Sequence, residues 1–368
     1  SPFSPLTRRK YRVKGQGARF PCGRRFRAHM RTLFRVLGAL ALVFLMSLLV
    51  LEALYRWQVV DTYLPELRAF NPPQSLSENQ RPTILVMGDS FTAGPMNYPA
   101  LLQQAFTHVR IVNAGVSGTG VIQTAVMAPK RFRDFHPSIF LYQLYVGNDL
   151  FDVNYPVNWD RISFVRNLYW MIANHLRAVG YVNYRIGQAR QSDAGGPPAP
   201  GAAPGTGAVP ATDSFSTERY EGRVKIYLRA DPSLLENSIL VKGRRRDDYI
   251  TLLAKLEEVV AYCEPQQCEV YLLVIPHVCQ VDERYVFYMQ QLGASFTEPD
   301  RLRATGYPFI QGMQDRFRKS PHVHVLNPLQ ALREANHQAP VYFTNDEHLN
   351  LAGHKAIADF LATQLNLE

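Results

Sequence analysis

Asp and Glu are missing from the first 35 residues, which hold eleven Lys or Arg, so the net charge of +9 belongs to one arm. The remainder carries 29 basic against 31 acidic side chains, and a near-neutral body lacks the broad cationic surface that nucleic-acid binding needs. Cysteine is scarce, with Cys22, Cys263, Cys268 and Cys279 only. There is no second Cys pair and no His at ligand spacing, which argues against zinc, and no clustered His and carboxylate set, so neither metal nor cofactor is expected. Cys263 and Cys268 flank four residues and are placed to close a small disulfide loop in an oxidising compartment, or to remain buried thiols. Large side chains are nearly absent from Gln191 to Ser214, where sixteen of twenty-four residues are Gly, Pro or Ala. Such a stretch cannot bury enough apolar surface to offset its ordering entropy, and a disordered insertion at 191–214 is expected. Internal repeats are lacking as well.

Long apolar runs are absent except for one, the sixteen uncharged residues Val36 to Leu51. The run extends to 33–54 if Arg35 and Glu52 snorkel to the two interfaces. It is long for the apolar region of a secretory signal and no small-x-small cleavage site follows, so an uncleaved transmembrane anchor is expected. The basic flank puts residues 1–32 in the cytoplasm and sends the body across the inner membrane, to a periplasmic or extracellular location. Met30-Arg31-Thr32-Leu33 reads as a natural start, with the preceding residues an upstream extension. Residues 55–81, polar and containing Asn71-Pro72-Pro73, read as a linker, and 82–368 as one domain.

Within that domain strand and helix patterns alternate. Ile84 to Met87, Val109 to Asn113, Ile139 to Val146, Glu269 to Ile275 and Val323 to Leu326 have strand character. Helical periodicity fills Tyr98–Phe106, Val121–Phe132, Tyr249–Tyr262, Asp282–Leu292, Phe309–Lys319 and Asn350–Leu365, and also marks 160–190. This alternation predicts an α/β fold with a parallel sheet between helices. Residues 215–245 give no clear pattern, and Arg244-Arg245-Arg246 reads as a solvated loop.

The first apolar strand stops at Gly88-Asp89-Ser90-Phe91-Thr92-Ala93-Gly94, which delivers a serine to the carboxyl edge of the sheet, where α/β sites are built. The second ends Asn113-Ala114-Gly115-Val116-Ser117-Gly118-Thr119-Gly120, a turn whose backbone can approach a ligand closely. The third ends Gly147-Asn148-Asp149, with an amide able to donate to an oxyanion. Near the C-terminus comes Asn345-Asp346-Glu347-His348-Leu349-Asn350. Each segment alone is also compatible with a turn or cap without chemistry. In this order they resemble blocks I, II, III and V of the SGNH/GDSL hydrolases. The resemblance covers the sheet-forming parts and omits the arm, the anchor and residues 160–245. It implies a flavodoxin-like three-layer α/β/α fold and acyl-ester chemistry, with Ser90 as nucleophile, His348 as base, and Ser90 N–H, Gly118 N–H and Asn148 binding the oxyanion.

One departure concerns the group that orients the base. Many members carry Asp three residues before the His, whereas that position here is Asn345. In an extended loop residues two apart project to the same side, which favours Asp346 as the partner of His348 with Glu347 pointing away; Glu347 or an external group is the alternative carboxylate, and Asn345 could at most hold the ring by hydrogen bonding. Water as acceptor makes the chain an esterase; a hydroxyl of an envelope or exported polysaccharide makes it an O-acetyltransferase, with a membrane acyl-transfer partner. A third reading is a degenerate carbohydrate-binding scaffold, with Tyr142, Tyr145, Phe151, Tyr155 and Trp159 lining a sugar groove or, as ordinary residues, forming core.

Overall fold

A computed structural model describes residues 22–77, 82–193 and 214–365. The chain divides into two compact units at Leu51/Glu52. In the first, the helix Cys22–Arg56 carries the apolar run. Its Met30–Arg56 portion, 27 residues of mean hydropathy 2.5 with none of its apolar window buried, is long and apolar enough to cross a membrane.

The second unit is built on five parallel strands: β1 Thr83–Met87, β2 Arg110–Asn113, β3 Ile139–Tyr145, β4 Glu269–Ile275 and β5 Val323–Leu326. Their spatial order is β2-β1-β3-β4-β5. Every residue of β1 is buried, as expected of a central strand covered on both faces. Helix Tyr98–Ala105 packs with Leu351–Gln364, which packs with Leu329–Gln338; helix Val121–Phe135 packs with Arg245–Val260. These are the two helical layers of a flavodoxin-like sandwich. The chain leaves β1 toward one edge and returns to β3 on its other side, so the order reverses beside β1, and the crevice beyond the carboxyl ends of β1 and β3 is the switch point.

Three sequence expectations change. Residues 57–77 are no spacer: they contain helices Leu64–Phe70 and Pro73–Leu76, and Asp61 pairs with both terminal nitrogens of Arg131 at 2.6 and 2.8 Å. Asn71 accepts from Asn113 N–H at 2.8 Å and donates to its carbonyl at 2.7 Å, satisfying backbone groups of the edge strand β2. Helix Arg177–Asp193 runs three residues into the stretch read as disordered; 194–213 lie outside the described residues. Arg245 is fully buried at the start of its helix rather than solvated. Its guanidinium donates to Leu150 and Asn154 carbonyls, Asp248 and Asp231, and lies over the Phe151 ring. The helix Leu329–Gln338 has no counterpart in the sequence reading. Cys263 and Cys268 are disulfide-bonded, and Cys279 is a buried thiol.

Removing Arg245 strands two carboxylates and two carbonyls. Arg245→Ala is expected to destabilise the body by about 3–5 kcal/mol, whereas Arg244→Ala, at an exposed position, should change stability by less than about 0.5 kcal/mol. Urea unfolding of the two variants, side by side, checks this.

Candidate active site

Ser90 sits on a turn held from three sides. Asp89 Oδ1 accepts the Phe91 N–H at 2.9 Å, and its carbonyl accepts from Thr92 and Ala93, so the chain turns into a single helical coil at the strand end. Gln143 Oε1, from β3, accepts from Asp89 N–H at 3.1 Å and Thr92 Oγ1 at 3.0 Å. Asn113, at the end of β2, donates to the Thr92 and Gly94 carbonyls. The β2 turn then approaches so closely that a Cβ on Gly115 would lie 2.7 Å from Thr92 Cγ2 and 2.9 Å from Ala93 N, which only glycine permits. Gly118 follows with φ +70°, the left-handed region.

His348 arrives from the other end of the chain. Tyr342 and Leu349 form an antiparallel bridge and Phe343 N–H donates to the His348 carbonyl, closing a tight loop. Tyr342 Oη donates to the Pro276 carbonyl beyond β4, and Asn350 caps the last helix by accepting from Gly353 N–H. The loop brings His348 Nε2 to 2.7 Å from Ser90 Oγ, across 258 positions of sequence. On the other side of the ring, Asp346 Oδ1 bonds Nδ1 and also accepts the His348 backbone N–H at 2.9 Å. The imidazole lies against Phe91, ring centres 5.1 Å apart.

Ser90, His348 and Asp346 are thus brought together. Gly118 and Asn148 stand at the same edge as Ser90; the Asn148 side chain makes no capping bond to the helix it precedes, and its Oδ1 has no hydrogen-bond partner among the described residues. Asn345 accepts from Ser216 N–H and donates to the Ser214 carbonyl, tying the His348 loop to residues 214–221. Glu347 points elsewhere, buried 4.0 Å from Arg223 Nη2. Tyr142, Tyr145 and Phe151 are core, Trp159 packs on Phe164 at the surface, and Tyr155 borders a cavity.

Arg223 and Glu221 were not legible as site residues, because they lie in the region without a pattern. Arg223 Nε is 3.2 Å from Glu221 Oε1. Burial raises the Glu347 carboxyl and Glu221 adds to this, against Arg223, bringing it to about 8. Burial alone would lower His348, but the charge and hydrogen bond of Asp346, with Glu347 and Glu221, outweigh it and hold the imidazole at about 9. Asp346 is lowered, burial being overcome by the imidazolium beside it. Glu221, Asp346 and His348 also place ligand atoms within 4.8 Å of one another. An ion there would occupy the groups that orient and form the base, so metal binding and proton transfer from Ser90 would compete.

No protein-family profile and no curated protein matches the chain. Solved structures resemble it weakly. A catalytic mutant of Axe2, an acetylxylan esterase from Geobacillus stearothermophilus, shares 12% identity at a TM-score of 0.40, over 80% of this chain and 97% of that one. LAE5, an alpha/beta hydrolase enzyme from the metagenome of Lake Arreo, Spain, shares 16% at 0.38, over 78% and 96%. TesA shares 14% at 0.38, over 78% and 99%. Scores this low leave the chemistry to be read from the site itself.

The raised imidazole value depends on a neighbouring charge. In Asp346→Asn the imidazolium loses its main stabiliser, so the His348 titration should move toward lower pH by at least about one unit. Chemical shifts of its ring protons, followed from pH 5 to 10, give the answer; an unchanged midpoint contradicts the assignment.

Proposed function

We propose that the chain is a serine hydrolase of the SGNH type that cleaves acyl esters through an acyl-serine intermediate. The observation that carries this is the continuous relay Ser90 Oγ, His348 Nε2, His348 Nδ1, Asp346 Oδ1 at the carboxyl edge of the sheet. Neutral His348 takes the Ser90 proton as Oγ attacks the ester carbonyl carbon. The negative charge developing on the carbonyl oxygen is met by the N–H groups of Ser90 and Gly118 and the Asn148 amide. Asp346 holds the tautomer that leaves Nε2 free to accept, and stabilises the imidazolium. Collapse of the tetrahedral intermediate expels the alcohol, which takes the proton from His348. Water, deprotonated by the same imidazole, then releases the acid and restores Ser90.

The second part of the proposal is location: residues 33–54 anchor the chain, and the body lies outside the cytoplasm. The basic flank and the Cys263–Cys268 disulfide support it. Protease added outside sealed right-side-out vesicles should digest the body, and a protected body overturns the orientation.

A fluorophosphonate probe should label Ser90, and hydrolysis of 4-nitrophenyl acetate should fall by about 10⁴-fold or more in Ser90→Ala and in His348→Ala. The two losses should not add, because serine and histidine act in one proton transfer. Turnover that survives in Ser90→Ala would sink the reading.

The pH profile has a defined sign. Only neutral imidazole accepts the serine proton, so kcat/KM should rise with pH along a limb centred near the raised His348 value of about 9. Asp346→Asn should move that limb toward acid while lowering its plateau by roughly a thousandfold, and Glu347→Gln should lower it far less. Steady-state rates from pH 5 to 10 test both; a larger loss in Glu347→Gln would reassign the orienting carboxylate.

A further inference from the structure

Beside the Gly118 turn lies a cavity of about 350 Å³, bordered by Gly118 and Thr119 and by side chains of helices Asp149–Val153, Phe164–His175, Arg177–Asp193 and Gly222–Ala230. Two of its lining residues, Asp152 and Arg223, carry ionisable side chains. Asp152 is 6% exposed, and no described residue donates a hydrogen bond to its carboxyl. Arg223 carries buried Nε and Nη2 without an acceptor in hydrogen-bonding geometry. Around them stand the partly buried rings of Tyr155, Tyr169, Tyr181 and Tyr227.

We propose that this cavity binds the alcohol portion of the ester, and that this portion is a sugar ring. The proposal rests on Ser90 being the nucleophile, because the cavity adjoins the turn that carries Gly118, one of the oxyanion donors assigned above.

The chemistry of the walls selects the ligand class. A buried carboxyl without a donor costs free energy that hydroxyl groups recover by donating to it. An alkyl chain of similar volume would leave the Asp152 carboxyl without a donor, so the site is poorly built for a fatty acyl or fatty alcohol. A sugar ring presents apolar C–H faces to tyrosine rings and hydroxyls at its edge, matching a pocket that is aromatic at its sides and polar at fixed points. Burial, opposed by Arg223 and helped by Asp89, lifts the Asp152 carboxyl to about 7, so near neutrality it can accept from one hydroxyl or donate to another. The volume lies near the lower end of ligand pockets, which suits one or two rings rather than a long oligomer.

Two measurements on the full-length, detergent-solubilised chain test this separately from the ester chemistry. Saturation-transfer NMR of the Ser90→Ala chain with cellobiose reports the cavity alone: transfer to the sugar C–H protons is expected, and its loss when Asp152→Asn is added. For turnover, the readout is the ratio of kcat/KM for 6-O-acetylglucose to that for hexyl acetate. It should exceed one and fall about tenfold in Asp152→Asn, the worth of one hydrogen bond to a buried charged group. Tyr169→Ala, on a partly exposed wall, should lower it in the same direction should Asp152→Asn fail to fold. No saturation transfer, or a preference for hexyl acetate that these variants leave unchanged, overturns the sugar site. Failure of the fluorophosphonate to label Ser90 would instead remove the ester reading while leaving the cellobiose result standing.

Discussion

The hydrogen bond between Ser90 and His348 joins the end of the first strand to the loop before the last helix, and most of the architecture serves to keep it short. Neither residue is positioned by its own neighbours alone. Ser90 depends on Gln143 and Asn113, side chains from the two strands flanking β1. The loop of His348 depends on Tyr342 reaching the Pro276 carbonyl and on Tyr285 Oη reaching the Thr344 carbonyl. The relay therefore reports on the register of β1, β2, β3 and β4 together. A shift of any one of them by a residue would change which side chain faces the edge and break it.

Electrostatics at this edge are unbalanced by design of the sequence around the base. Asp346, Glu347 and Glu221 all raise the imidazole, with Arg223 the cation among them. In the proposed mechanism, three carboxylates around one histidine would favour the imidazolium formed as Ser90 gives up its proton, and so would stabilise the acylation transition state. The same charges favour the protonated imidazole, which cannot accept a proton, at neutral pH. Glu347, raised by burial and by Glu221, softens this conflict, since its neutral form withdraws one of the charges. Asp346 differs from it in geometry rather than in kind: it meets Nδ1 directly and takes the backbone N–H of the same residue, so it fixes ring orientation as well as charge.

What the sequence made legible follows from how local the signals are. The five strands could be read because parallel buried strands are short apolar runs, and β4 and β5 match their expected limits. Ser90, Gly118, Asn148 and His348 stand at strand or helix ends, where turn-forming residues mark the boundary. Asp346 was preferred over Glu347 on side-chain alternation and on a spacing that resembles the Asp-x-His of some SGNH branches, and the loop holds Asp346 against the ring. Arg245 was misread because a run of three arginines carries no sign of which one is buried; its partners Leu150, Asn154 and Asp231 are remote in sequence. Residues 57–77 were misread for a related reason: a polar, Pro-containing stretch looks like a spacer unless the edge strand that its Asn71 satisfies is in view. Arg223 and the cavity beside it are assembled from several helices remote in sequence, and no linear pattern announces such a wall.

The residues between β3 and β4 therefore do more than decorate a standard sheet. Ser214 and Ser216 hold Asn345, and Glu221 N–H donates to the Asn345 carbonyl at 3.1 Å. Two residues later in the same segment Arg223 faces Glu347 and the cavity wall. One stretch of chain thus braces the loop that carries the base, sets the charge around it, and borders the space beside the oxyanion turn. A ligand filling that space would press on Arg223 and, through Glu221, on Asn345 and the loop of His348. If the cavity holds the alcohol half of a substrate as proposed, its binding and the alignment of the relay would be linked through this contact, a physical route to raise turnover as well as affinity.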